Sequence, residues 1–288
     1  MLSVIICTRN REEKLAQCLS SFEEASVSRS AWELLVVDNG SQDQTKQVVN
    51  LITERKTLPL KYVVEVQPGL SHARNCGLAH ATGNIVAFTD DDCLISQTWL
   101  DSIVQEFTDD PQLMVLGGRV DLADCQDLPV GIRPFPDRLQ ICSFDQIMER
   151  LIGCNMAFRR AVFHTVGVFD TKLGAGTRVG SAEDTDIFYR AVKARMKACY
   201  SPTSRIWHAH GRVDEATVLA IKDSYVKGRG ALYCKHLLLG DRRMLKYAVY
   251  EFRRLLQNLV AQRTVTATNY PSGRALHNLV RGALSRLR

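Results

Sequence analysis

No stretch of the 288 residues approaches the roughly 18 consecutive apolar residues of a membrane span, so no membrane-crossing helix is expected. The nine cysteines (Cys7, Cys18, Cys76, Cys93, Cys125, Cys142, Cys154, Cys199 and Cys234) are scattered and odd in number. They include no CxxC pair, so neither a zinc site nor a disulfide framework is supported, and most read as small core residues. The start of the chain lacks the pattern of a signal peptide: residues 3–7 read as a strand, followed by Arg9 and Arg11. A cytoplasmic location is the expectation. There is no internal repeat, and no low-complexity tract.

What is present is ordinary for a globular protein, 45% hydrophobic and 24% charged, with material for one large core or two small ones. The net charge of +6 is unevenly spread. Residues 205–288 carry 16 Lys/Arg against 5 Asp/Glu, whereas residues 1–204 carry 21 against 26. The basic part is the tail, which suits an acidic partner such as an anionic membrane surface rather than nucleic acid.

Strands and helices alternate from the start. Residues 2–8, 33–41 (ending in the turn composition of Asp38, Asn39 and Gly40), 61–66, 84–92 and 113–120 read as strands. Between them lie helices over 11–25 (capped by Asn10), 43–55 (Val48, Leu51 and Ile52 inward), 70–81 (ended by Gly83) and 98–107. This spacing predicts an α/β fold with a mainly parallel sheet covered by helices on both faces. Residues 121–148, broken by Pro129, Pro134 and Pro136, read as a long loop. A strand over 153–158, a short helix over 159–166, a glycine-rich run to Gly180 and a helix from Glu183 follow. Residues 197–201 and 205–210 read as two strands, and 214–239 and 241–261 as helices. The expected division is a large domain over 1–212, with halves over 1–120 and 121–212, and a basic helical extension over 213–288.

In sheets of this kind ligands bind beyond the carboxyl ends of the strands. Thr8 and Arg9, Asp38 and Asn39, and Asp90, Asp91 and Asp92 all fall at such ends. Along an extended chain Asp90 and Asp92 share one side and Asp91 points to the other. Paired carboxylates there suit a hard divalent cation; the bland reading is an acidic turn. Arg74 lies in the inward stripe of its helix with Leu70 and Leu78, so it wants either a diphosphate or one of the strand-end aspartates. Asp184 is three and four residues before Ile187 and Phe188 and points to the same face, a position for a general base; the alternative is a capping box with Ser181. Asp186 can pair with Arg190 instead. His208 and His210 share one face of a strand, and either one completes a metal site or both are ordinary. Leu245, Val249, Phe252, Leu256 and Leu259 form one apolar helix face. Leu276, Leu279, Val280, Ala283 and Leu287 form another, flanked by Arg274, Arg281, Arg286 and Arg288. The second face suits an anionic bilayer, or packing on its own domain or on a second subunit as in a homodimer.

Taken together, VIICTRNR, VVDNGSQDQT, GLSHARNCGLAHATGNIVAFTDDDC, GCNMAFRR, VGVFDTKLGAGT and AEDTDIFYR resemble bacterial family 2 glycosyltransferases of the GT-A fold. The resemblance runs over nearly the first 235 residues. It implies a nucleotide-sugar donor (a UDP-, GDP- or dTDP-sugar), a divalent cation (Mn²⁺ or Mg²⁺) and inversion at the anomeric carbon. It makes Asp38 a contact to the base, with Thr8 and Arg9 lining the same pocket and Arg74 reaching the nucleotide. Asp90 and Asp91 go with the donor, Asp90 also with the metal; Asp92 is the metal ligand, and His208 or His210 stands near it. Asp184 matches the family's catalytic base. The QxxRW motif of processive synthases is missing, the nearest stretch being KGRGALY. That departure, with the lack of membrane helices after it, implies one sugar per event; the expected acceptor is a saccharide or lipid-linked one, in cell-envelope polysaccharide synthesis. A sugar nucleotidyltransferase is the rival enzyme, but residues 6–11 contain no glycine for its phosphate loop. A non-catalytic nucleotide-sugar-binding protein is the other rival, against which the intact Asp92 and Asp184 argue.

Overall fold

The computed structural model describes residues 1–25, 31–260, 264–265 and 270–287. The chain divides into two compact units, Met1–Phe169 with Asp184–Gly211, and Asp170–Glu183 with Arg212–Arg288.

The first unit runs β1 (Leu2–Thr8), α1 (Glu12–Glu24), β2 (Trp32–Asp38), α2 (Thr45–Arg55), β3 (Leu60–Val64), α3 (Leu70–His80), β4 (Ile85–Asp90), β5 (Cys93–Ile95) and α4 (Trp99–Asp109). It continues β6 (Leu113–Leu122), β7 (Leu139–Ile141), α5 (Phe144–Arg150), β8 (Asn155–Arg159), α6 (Ala161–Val166), α7 (Glu183–Lys193) and β9 (Lys197–His208). One sheet takes all nine strands in the order β3-β2-β1-β4-β8-β6-β9-β5, with β7 also on β9. The ladders among β1, β2, β3 and β4 are parallel, as is β6 on β9, and these hold most of the paired residues. The reading of a mainly parallel α/β sheet is borne out, with β8 inserted antiparallel between β4 and β6.

β1 is buried on both faces, which is why it reads as an unbroken apolar run. Leu2, Val4 and Ile6 join one core with Leu15, Leu19 and Phe22 of α1. Ile5 faces the other way onto α3, where a Cβ on Gly77 would lie 2.6 Å from its Cγ2, so only glycine lets the helix approach. On β4 the alternation repeats: Ala87 belongs to the first core, while Phe88 packs edge-on against Phe158, Phe163 and Phe169.

Several local expectations fail for identifiable reasons. Asn10 does not cap α1; it sits at φ +53 and its side chain accepts from Gln42 N at 2.7 Å, tying the loop after β1 to the loop after β2. On α2 Val49 and Ile52 are buried and Val48 packs partly buried against the same core, whereas Leu51 faces solvent. α3 ends at His80 with Ala81 extended. Gly83 is a close-approach position rather than a cap, since a Cβ there would meet Met1 O and Ser3 N at 2.7 Å. The 121–148 stretch is not one loop: β6 reaches Leu122, and β7 and the start of α5 lie within it. The two strands expected over 197–210 are one strand, β9, whose pairing with β6 shifts register between Gly118 and Arg119.

Glu33 on β2 is a structural carboxylate that periodicity did not flag. It is buried, and accepts from Ser3 Oγ at 2.7 Å, from Thr82 N and Oγ1 at 2.6 Å each, and from Lys61 Nζ at 2.6 Å. Burial works to raise its pKa, but the donors from Lys61, Thr82 and Ser3 outweigh it and hold the carboxyl at about 2. A group depressed on folding stabilises the fold fully above its ordinary value of 4.5, and that stability is lost as pH falls toward 2. Glu33→Gln should therefore cost about 2 kcal/mol near neutral pH. It should also flatten the acid limb between those two pH values. Urea midpoints measured for both proteins across that range test this; parallel pH profiles would refute it.

The second unit contains α8 (Glu215–Leu238), α9 (Arg242–Val260), the short pair β10 (Thr264–Val265) and β11 (Tyr270–Pro271), and α10 (Ser272–Leu287). Asp214 caps α8 by accepting from Thr217 N. α8 and α10 touch backbone to backbone: a Cβ on Gly230 would lie 2.0 Å from Leu279 O, and one on Gly282 1.9 Å from Lys227 O. Ala275, Asn278, Leu279 and Gly282 are the buried face of α10, rotated from the expected stripe, which leaves Val280 and Leu287 exposed. Helix-on-helix packing is thus the observed use of α10. Glu251 of α9 takes Arg229 at 2.9 Å and Tyr233 at 2.6 Å, and Asp170 takes Lys235 at 2.8 Å and Arg286 at 2.7 Å. Arg288 and the expected helix end at Ala261 lie outside the described residues. Among the described residues no helix is long and apolar enough to cross a membrane.

Candidate active site

Register brings the polar strand ends to one rim. Thr8 lies beside Asp38 across the β1–β2 ladder, and Cys7 beside Asp90 across β1–β4. β4 stops at Asp90, and Asp91 and Asp92 turn the chain into β5. Strict alternation of the three aspartates therefore fails, because it needs an extended chain. Asp90 is the outlying carboxylate, its side chain 35% exposed and 3.3 Å from Arg74 Nη2. Asp91 and Asp92 are both buried and both held by Arg11, each at 2.8 Å. Thr8 Oγ1 donates to Asp91 at 2.8 Å.

The β5–β9 register sets His208 opposite Cys93, and its Nε2 stands 3.2 Å from Asp92 Oδ1. His210 packs its ring edge-on against that of His208, centroids 4.8 Å apart, but its nitrogen meets a different carboxylate: the ring is fully buried with Nδ1 3.3 Å from Asp127, which also accepts from Gly211 N. Burial opposes charge on Asp92, yet the hydrogen bond and charge of His208 and the charge of Arg11 hold its carboxyl well below the usual range. Burial likewise disfavours the His208 imidazolium, and the Asp92 bond overcomes this and pushes it up to about 9. Asp91 is pushed up to about 7 by burial, Arg11 only partly offsetting it. So Asp92 is the ionised carboxylate of the buried pair.

Asp92, Cys93 and His208 place their donor atoms within 4.8 Å of one another. Burial pushes the Cys93 thiol far up, so thiolate ligation is disfavoured there. Once the imidazole yields its proton to an incoming cation, it forms with the carboxylate a hard-to-borderline donor set that suits Mn²⁺ better than the strictly oxygen-seeking Mg²⁺. His208 Nδ1 is buried with no hydrogen-bond partner among the described residues. The residues present therefore fit a divalent cation.

Arg74 on α3 is buried; besides Asp90 it donates to Gly153 O at 3.4 Å and lies 5.6 Å over the Phe169 ring. Gly153 N donates to Asp184 Oδ2 at 2.8 Å, while Asp184 Oδ1 accepts from Thr185 N at 2.6 Å. A Cβ on Gly153 would stand 3.0 Å from both Arg74 Nη2 and Asp184 Oδ2, so glycine lets the cation and the carboxylate converge. Ser181 donates its hydroxyl to Ser224 O, and the Asp184 carboxylate is held across elements rather than in a box with Ser181. Asp186 pairs with Arg190 at 2.8 Å, as its spacing predicted.

At the other end of the rim Asp38 accepts from Tyr62 Oη and from Ser41 N at 2.7 Å. Asn39 clamps the neighbouring loop through Glu65 O, Gln67 O and Gly69 N. Arg9 is exposed beyond β1. Arg11, Tyr62 and Gly153 were not singled out from sequence. Arg11 was within reach of the same argument as Arg9, being basic and a few residues past the strand end; Tyr62 and Gly153 carry no local signal.

Comparisons with known proteins bear on the family and the fold. Residues 3–167 match the family model of glycosyl transferase family 2. Over 100 residues the chain is 37% identical to the glycosyltransferase AglE of Haloferax volcanii, covering 35% of this chain and 33% of that protein. It is 27% identical over 225 residues to the glucosyl-dolichyl phosphate glucuronosyltransferase of the same organism, covering 72% and 68%. The chain thus spans about a third of the length of the first relative and two thirds of the second. Among solved structures, the mannosyltransferase PcManGT from Pyrobaculum calidifontis, in complex with GDP-Man and Mn²⁺, shares the fold at a TM-score of 0.66 and 20% identity, over 99% of this chain and 86% of that one.

Proposed function

The chain belongs to glycosyl transferase family 2, and from that premise we propose an inverting transferase that moves one sugar from a nucleoside-diphosphate donor to a saccharide or lipid-linked acceptor. The observation that carries this is the convergence of Asp184 and Arg74 about Gly153, with Arg74 reaching Asp90 on the same rim as the Arg11–Asp92–His208 cluster. In this reading residues 1–120 hold the nucleotide and residues 121–212 supply the acceptor side and the base.

Asp184 takes the proton of the acceptor hydroxyl as that oxygen attacks the anomeric carbon. The Gly153 N–H fixes its carboxylate, leaving it aimed beside Arg74. Asp38 accepts from the donor's base, with Thr8 and Arg9 lining that pocket and Tyr62 orienting the carboxylate. Asp90 and Asp91 sit toward the ribose and diphosphate. Arg74 offsets the negative charge that grows on the departing diphosphate. Asp92 and His208 hold the divalent cation, which when bound acts as a Lewis acid on the diphosphate. The Mn²⁺ and GDP-Man bound by the mannosyltransferase of the same fold support the cofactor and donor class. The second relative, a glucosyl-dolichyl phosphate glucuronosyltransferase, supports a lipid-linked acceptor. The basic tail would then hold the enzyme peripherally on the cytoplasmic face of an anionic membrane.

Calorimetric titration with UDP, GDP and dTDP, each with Mn²⁺ and with EDTA, tests the reading. One nucleotide should bind at least about tenfold more tightly with the metal, and its sugar conjugate should release that nucleotide only with Mn²⁺ or Mg²⁺. Metal-independent binding and turnover would overturn it. Release of inorganic diphosphate from a nucleoside triphosphate would favour a nucleotidyltransferase.

A further inference from the structure

α9 is amphipathic in an unusual sense for a packed helix. Its inward face consists of Met244, Glu251 and Leu255. A second face, formed by Leu245, Val249, Phe252, Leu256 and Leu259 at spacings of three and four residues, is exposed at 38–50%. Along one border of that stripe run Arg242, Lys246 and Arg253, all exposed, with Arg243 and Arg254 further round. The helix has one acidic residue, Glu251, and it is turned inward and paired with Arg229. Its exposed charges are therefore all basic, beside a continuous apolar strip.

We propose that α9 is the segment that docks on an anionic lipid surface, with the apolar stripe in the acyl boundary and the bordering cations on the headgroups. This deepens, and rests on, the membrane-surface reading of the basic tail. Sequence pointed to α10 for that role, but α10 presents Ala275, Leu279 and Gly282 to α8 and has only Val280, Leu284 and Leu287 among its strongly exposed apolar residues. Charge complementarity decides the occupant. A second copy placed stripe to stripe in antiparallel fashion would bring the two rows of cations together, and in a parallel pair each row would find no acidic partner on the other helix, whereas anionic headgroups neutralise them.

The experiment is co-sedimentation of the full chain with vesicles of phosphatidylcholine, with or without phosphatidylglycerol. Two variants serve as probes: Leu245→Ser/Phe252→Ser/Leu256→Ser on α9, and Val280→Ser/Leu284→Ser on α10. All five positions are exposed, so both variants should fold, as circular dichroism will report. The parent should bind the anionic vesicles, less so at high salt. The α9 variant should lose at least about tenfold in affinity and the α10 variant less than about threefold. Equal loss from both, or loss from the α10 variant alone, would overturn the assignment to α9 while leaving the membrane reading standing. No binding by the parent would overturn both. A concentration-dependent dimer abolished by the α9 substitutions, without vesicle binding, would assign the stripe to a second copy instead.

Discussion

Asp184→Asn should lower the rate of sugar transfer about a thousandfold while nucleotide affinity stays within about threefold of the parent. The substitution is nearly isosteric. The carboxamide oxygen can still accept from Gly153 N or Thr185 N, so the carboxylate's place between α7 and the β8 approach is kept. What is lost is basicity toward an acceptor hydroxyl, an interaction made only as the reaction proceeds, so the effect falls on kcat and not on donor KM. Gly153→Ala offers a geometric companion. Its methyl would enter the 3.0 Å gaps to Arg74 and Asp184, separating the base from the cation. Steady-state kinetics with saturating donor, together with calorimetry on the nucleotide, measure both. A rate within tenfold of the parent for Asp184→Asn would remove it as the base.

Asp92→Asn should abolish the metal dependence of nucleotide binding and reduce transfer by about a thousandfold. Removing the metal from the parent with a chelator should do the same, and Mn²⁺ should restore the parent but not the variant. The argument rests on charge. Asp92 is the buried carboxylate kept ionised by Arg11 and His208, and it shares its near atoms with the imidazole. Losing that charge leaves Arg11 and His208 facing an amide, so the fold should also weaken by about 3 kcal/mol. His208→Ala should weaken metal dependence too. His210→Phe, which keeps a ring beside His208 but removes the nitrogen facing Asp127, should leave it intact. Binding isotherms at several Mn²⁺ concentrations decide this; an Asp92→Asn protein that still responds to metal would refute the ligand assignment, and one responding only through His210 would reverse the choice of histidine.

Local chemistry and long-range placement account for different parts of the molecule. The strand ends at Thr8, Asp38 and Asp90 were legible because apolar runs stop there, and a mostly parallel sheet must collect its strand ends at one rim. The Asp186–Arg190 pair was legible because helix periodicity alone brings it together. Gly83 was misread as a cap because a cap and a close approach look alike in sequence, and only the neighbouring β1 backbone tells them apart. The stripe on α9 was legible as a face, but not which side of the helix would be covered.

By itself, the sequence determined the alternating elements, the rim, the carboxylates Asp90 to Asp92 and Asp184, and the basic end of the chain, since each depends on spacing along a helix or strand. Only the tertiary structure decided that Arg11 bridges Asp91 and Asp92, that His208 and not His210 meets Asp92, that Gly153 lets Arg74 and Asp184 converge, and that α10 is packed while the α9 stripe is exposed. Those pairings join residues far apart in the chain. Their partners are chosen by sheet register and by the steric room at single glycines, and neither leaves a periodic trace.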